Sequence, residues 1–178
     1  MEHKGNLEKE HAVLSYLAHL PKRILAFHSR DNVTEFVLHE LSRSCCFNLS
    51  KAAFFIENPD FDCLKGIAGV SHDHCYQRND CIWDVPDDFT DHMCASPFNR
   101  TVRAINWCSV LRQNDSYENR AEKIARQLSF DDYLFCTWDM KHNNQGLMVY
   151  QHSEDDDALI SNKHLQDGLS LLGFCPVF

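Results

Sequence analysis

The densest run of metal-ligand residue types is His72-Asp73-His74-Cys75, with Cys81 following. On a strand, His72 and His74 would share one face, and imidazole with thiolate is a donor set that zinc accepts. Cys75 would then face away and Cys81 would have to return through the loop. The spacing matches no zinc-finger pattern, and among eleven histidines a chance H-x-H is common. His72, His74, Cys75 and Cys81 are metal candidates, set against the simpler expectation of a solvated loop. Thiol catalysis needs a thiolate beside a base or a positive charge. Cys75, Cys81, Cys94 and Cys108 have His72, His74, His92, Arg100 and Arg103 near them in sequence, yet no spacing selects a pair. Cys45, Cys63 and Cys136 are expected in the core, where free cysteine is common. No phosphate loop, dinucleotide fingerprint, nucleophile elbow or zinc-protease motif occurs, and no catalytic residue is assigned. Asp87-Asp88 and Asp131-Asp132 sit where turns favour aspartate.

The aromatic residues carry the stronger expectation. Trp83, Trp107 and Trp138 are the three tryptophans of the chain, with Phe98 and Tyr133 between the first and the last. Large rings with one polar edge suit the wall of a small-molecule pocket. Trp83, Asp84, Phe98, Arg103, Trp107, Tyr133 and Trp138 are the ligand-binding candidates, with Tyr133, Asp84 or Arg103 fixing polarity. They are expected to enclose one space of roughly 300–1,000 Å³. The plain alternative is that the rings fill the core.

Composition narrows the partners. A chain of 178 residues is one domain's worth, and its 44% hydrophobic and 24% charged content is that of a globular protein. The formal charge of −9 would repel a phosphate backbone or an anionic membrane, so no direct nucleic-acid contact and no membrane are expected. The charged start has no apolar segment of a secretory signal, which predicts a cytoplasmic chain. Nine cysteines, an odd number without a CxxC pair, are then expected as nine free thiols.

These residues need elements to position them. Asn6 is expected to cap a first helix with Leu7, Leu14, Leu17 and Leu20 on one stripe, ended or restarted by Pro21. Asp31 or Asn32 caps a second helix carrying Val33, Phe36, Val37 and Leu41. Strands are expected at 51–57 and 61–70, then at 108–111, 133–140 and 147–152, the last two joined by a turn at 141–146. Residues 71–100 read as irregular. A short helix is expected over 98–106, another from a Ser116 cap to about Leu128, and a last one with Leu159, Ile160, Leu165, Leu169 and Leu172 after Glu154–Asp157.

In this order the chain resembles a GAF domain, the small-molecule-sensing relative of the PAS fold, over roughly residues 20–175. The likeness rests on DNVTEFVLHELSRSC, KAAFFIENPDFDCLKGIAGV, SPFNRTVRAINWCSV and YLFCTWDMKHNNQGLMVYQHSEDD. It implies a central antiparallel sheet of about five or six strands with the terminal helices packed on one face. It also implies a ligand pocket on the other face, beneath residues 71–107. A second resemblance is to the ligand-binding half of LuxR-type quorum-sensing regulators, which share an α/β/α architecture. Trp83, Ser96-Pro97 and Trp107 hold the places of a tryptophan, an Asp-Pro and a later tryptophan in that family. Asp87 stands where the family has tyrosine. A third is to the GAF-fold free methionine sulfoxide reductases, which use cysteines in this region.

The reading is one α+β domain over 1–178, with N-terminal helices at about 6–46, sheet and pocket at about 50–152, and a C-terminal helix at about 157–173. Its expected function is a small-molecule-sensing regulatory domain of a signal-transduction or transcription-control system, working as a homodimer, with the cofactor unknown. The alternatives are an acyl-lactone-binding domain, or a thiol- or metal-dependent redox enzyme on the same fold using Cys75, Cys81, Cys94 or Cys108.

Overall fold

Residues 51–56, Lys-Ala-Ala-Phe-Phe-Ile, form a strand apolar on both sides, and such a strand needs cover on both faces. The computed structural model describes residues 2–76, 81–109, 115–153 and 161–175. Among these it has α1 (Glu2–Ala26), α2 (Val33–Ser42), β1 (Leu49–Asn58), β2 (Cys63–Ser71), α3 (Pro86–Ala95), α4 (Pro97–Ala104), β3 (Asn106–Cys108), α5 (Tyr117–Gln127), β4 (Leu134–Asp139), β5 (Gln145–His152) and α6 (Ser161–Ser170). The five strands make one antiparallel sheet in the order β3-β2-β1-β5-β4, with β1 at its centre.

Strand alternation divides the core in two. Ala52, Phe54 and Ile56 of β1 join Met148 and Tyr150 of β5 on one face, covered by Leu17, Leu20 and Ile24 of α1, Phe36 of α2, Phe89 of α3 and Leu165 and Leu169 of α6. Ala53 and Phe55 join Leu64, Leu147 and Val149 on the other, covered by Val102 of α4 and Ala121, Ile124 and Ala125 of α5. Between Phe54 and Phe55 the partner jumps from Ala68 to Gly66, so Ile67 is an extra residue that shifts the face of everything beyond it. The α+β class, the antiparallel sheet and the shared face of the terminal helices agree with expectation. On the opposite face, where a ligand pocket was expected, α4 and α5 pack against the sheet.

Several boundaries differ. Asn6 lies inside α1 rather than at its cap, and α1 runs through Pro21. Leu17, Leu20 and Ile24 bury the same stripe on both sides of that proline, and this burial offsets one lost hydrogen bond. Leu14 is 44% exposed, off the stripe. Asn32 stands at the N-cap of α2, but its side chain donates to Thr90 Oγ1 at 2.9 Å. Ser116 does cap α5, its Oγ accepting from the Asn119 N–H. The short strand comes earlier than expected, at Asn106–Cys108. Residues 110 and 111, and the run Glu154–Asp157 with Leu159 and Ile160, lie outside the described residues. Cys45 is exposed and Cys63 half-buried rather than in the core, while Cys136, half-buried, packs against the first core. All nine cysteines are free. No helix among the described residues is long and apolar enough to cross a membrane.

Candidate functional site

Phe36, His39, Glu40 and Arg43 follow one another at i, i+3, i+4 and i+7, so α2 and the residue after it turn one face toward α3. Pro86 starts α3 at its first turn with Asp87 and Asp88 at the positive end, and Phe89 and Met93 point inward one turn apart. Phe89 is the hub. Its ring centroid lies 4.4 Å from Phe36, 5.1 Å from His39 and 5.6 Å from Tyr76. Phe36 in turn meets Trp83 at 5.1 Å, and Trp83 meets Phe27 edge-on at 5.2 Å. An aromatic column thus joins α3, α2 and the end of α1.

At the open end of this column lies a cleft between α2, the end of β2, residues 72–76 and α3. Its wall includes His39, Ser42, Arg43, Ser71, His72, His74, Cys75, Tyr76, His92, Met93 and Ser96. Its free volume is about 30 Å³, room for a pair of waters or a compact head group. Both ring nitrogens of His39 and the hydroxyl of Tyr76 are buried without a hydrogen-bond partner among the described residues. Burial, helped by Arg43, His92 and His72, lowers the His39 pKa to about 4, so the imidazole is neutral near neutral pH. Glu40 is fully buried behind it, and its nearest cation, Arg43 Nη1, stands at 3.5 Å. Burial raises the Glu40 carboxyl pKa, against the smaller opposing pull of Arg43 and the Trp83 indole. Among the described residues, no carboxylate lines the cleft. Arg43 is half exposed at its mouth, its other contact a 3.4 Å approach to the Tyr16 hydroxyl.

Of the metal and thiol candidates, His72, His74 and Cys75 share the cleft wall, while Cys81, Cys94 and Cys108 lie elsewhere. His72 and His74 lie on a 3₁₀ turn, not on a strand, so they do not share a face in the expected way. Among the described residues no three His, Cys, Asp or Glu side chains converge to hold an ion. His92 Nε2 approaches the His74 carbonyl at 2.8 Å, a backbone bond that fixes the ring. Burial raises the Cys75 thiol pKa, the opposite of activation. Cys81 packs against the core beside Trp83, Cys94 is exposed on α3, and Cys108 is exposed on β3.

The expected ring of aromatics is divided by the sheet. Trp83 and Trp138 belong to the face of the terminal helices, whereas Phe98, Trp107 and Tyr133 pack on the opposite face. Register is the reason: Trp107 pairs with Leu64, which points into the second core, while Trp138 stacks on Phe54 at 5.4 Å in the first. One common cavity walled by all five is therefore not formed. Asp84 is exposed. Arg103 Nη1 donates to Glu35 Oε1 at 2.9 Å, the same oxygen that accepts from Asn99 Nδ2 at 2.8 Å. Asn99 Oδ1 accepts from the Gly69 N–H at 2.9 Å, so this network ties α2, α4 and β2 together. Of the expected set only Trp83 adjoins the cleft's aromatic column. The cleft residues His39, Arg43 and Tyr76 escaped the sequence reading. Their available signal was the interruption of the apolar stripe of α2 by His39 and Glu40. Comparisons with known protein families, with curated proteins and with solved structures find no match to this chain.

Proposed function

We propose that the chain is a small-molecule-sensing regulatory domain of a signal-transduction or transcription-control system, taking the polar head of its ligand into the α2–α3 cleft. The observation that carries this reading is a pair of groups in the cleft wall, His39 and Tyr76, buried without a hydrogen-bond partner among the described residues. A buried polar atom left unsatisfied costs roughly 1–3 kcal/mol, which a bound partner would offset. Arg43, the serines and the imidazoles supply donors, so the fitting head group is rich in acceptor oxygens. The column Phe89–Phe36–Trp83–Phe27 offers the coupling path, since a shift of α2 on binding would press on the end of α1. A lactone head is the less suitable occupant. The Ser96 hydroxyl caps α4, and Asp87 pairs with Arg30 at the surface.

A thermal-shift screen of small carboxylic acids, alcohols and esters tests this. A ligand at about 100 times its Kd should raise the melting temperature by roughly 5–10 °C. That shift should vanish in Arg43→Gln and Tyr76→Phe and persist in Trp107→Ala, on the far side of the sheet. A shift lost only in Trp107→Ala would move the site to the opposite face and overturn the proposal.

A further inference from the structure

Strand β3 pairs with β2 through three residues: Cys63 opposite Cys108, Leu64 opposite Trp107 and Lys65 opposite Asn106. Two hydrogen bonds bracket the ladder. The Gly66 N–H donates to the Ile105 carbonyl at 2.9 Å, and the Ser109 N–H donates to the Asp62 carbonyl at 2.7 Å. Each joins the residue after one partner to the residue before the other, the pattern that flanks a non-hydrogen-bonded pair in an antiparallel ladder. Cys63 and Cys108 therefore form such a pair, on one face of the sheet, where opposed Cα atoms lie about 4.5 Å apart and side chains approach most closely. A disulfide accepts Cα separations of about 4.4–6.8 Å. Both thiols are free, with Cys108 exposed and Cys63 half-buried. The chain leaves the ladder through left-handed residues on both sides, Asp62 at φ 49° and Ser109 at φ 62°, so the pair is the last rung before the strands part.

We propose that Cys63 and Cys108 are a redox-responsive dithiol, which a hydroperoxide converts to a cross-strand disulfide clamping β3 to the sheet edge. The exposed Cys108 sulfur attacks the peroxide O–O bond, giving a sulfenic acid and water. The Cys63 sulfur then displaces hydroxide from that sulfenic sulfur, and protonation yields the disulfide and a second water. In sum, two thiols and one hydrogen peroxide become one disulfide and two waters. The other cysteines are less suited. Burial raises the Cys136 and Cys175 thiols to about 12 and raises Cys46 as well, which keeps them from the reactive thiolate form. Cys45 and Cys46 are chain neighbours. Nothing here depends on what the cleft binds.

The test treats the reduced full chain with one equivalent of hydrogen peroxide, blocks remaining thiols, and maps tryptic peptides without reduction. Residues 52–65 should appear joined to residues 104–112, and titratable thiols should fall by two from nine. Amide exchange at Gly66 and Ser109 should slow at the same time. In Cys63→Ser, a sulfenic-acid probe should label Cys108, whereas Cys108→Ser should leave Cys63 unlabelled. A linkage between any other two cysteines, Cys108 overoxidised while Cys63 stays a thiol, or the same linkage formed as readily in guanidinium-unfolded chain would each overturn the proposal.

Discussion

At His39 the fold keeps an imidazole from water with neither nitrogen bonded among the described residues, and the charges of Arg43, His92 and His72 add to the effect of burial. Its folded pKa of about 4 lies below the ordinary 6.5. Between those values the unfolded chain binds the extra proton, so this group's contribution to stability falls as pH falls. Glu40 acts in the opposite sense, since its raised carboxyl lets the folded state take up a proton earlier on acidification. Comparing wild type with His39→Gln isolates the imidazole. From about pH 7 to about pH 5, wild type should lose roughly 2 kcal/mol relative to the variant in denaturant melts. Equal losses would contradict a neutral, buried His39. On the other face of the sheet, Arg120 pairs with Glu57, and both are buried. Arg120 Nη2 also donates to the Asp115 carbonyl at 2.6 Å. Glu57→Gln should cost roughly 3–5 kcal/mol, and Glu57→Leu combined with Arg120→Met should recover most of it. A loss below about 1 kcal/mol for the single variant would show that the pair is solvated.

Among the elements, α4 has an assignment that periodicity does not reveal. β3 pairs β2 only as far as Lys65, and α4 takes over the rest of that edge. Gly66 and Gly69 donate their amides to Ile105 and Asn99, which satisfies backbone groups an open edge would expose. Gly66 permits this approach, since a Cβ there would lie 1.9 Å from the Val102 carbonyl oxygen. At Gly146 a Cβ would meet the Trp138 ring at 2.4 Å, but a side chain can yield where a helix backbone cannot. Gly66→Ala should therefore cost about 3 kcal/mol or more, and Gly146→Ala less, about 1–3 kcal/mol, in urea melts. The reverse order would mean that α4 is not held against β2. Elements set by local pattern were legible: the KAAFFIE strand, the Ser116-capped helix and the hairpin after Tyr133. Those that depend on partners were not. Pro21 continues a helix because burial flanks it, and α3 hides in a stretch whose Asp, His, Cys and Pro content reads as loop.

For the whole molecule, the candidate site was less legible than the fold because a ring's face depends on register and layering. One extra residue at Ile67 exchanges the faces of β2, and both faces are covered by helices. Aromatics that are neighbours in sequence thereby part, Trp83 to one core and Phe98 and Trp107 to the other. The groups that gather instead come from three stretches: His39 and Arg43 with α2, Tyr76 after β2, and Phe89 and His92 on α3. Charge shows the same split between local and assembled order, since in a chain of net −9 no carboxylate stands among the described residues of the cleft wall. The most direct test is native mass spectrometry of freshly purified full chain, which reports bound mass and subunit number together. Wild type should retain a small organic molecule, one per chain, and the Arg43→Gln, Tyr76→Phe double variant should lose it. A wild-type chain that carries nothing and gains no mass from any compound in the screen, or a bound mass that survives in the double variant, would contradict it.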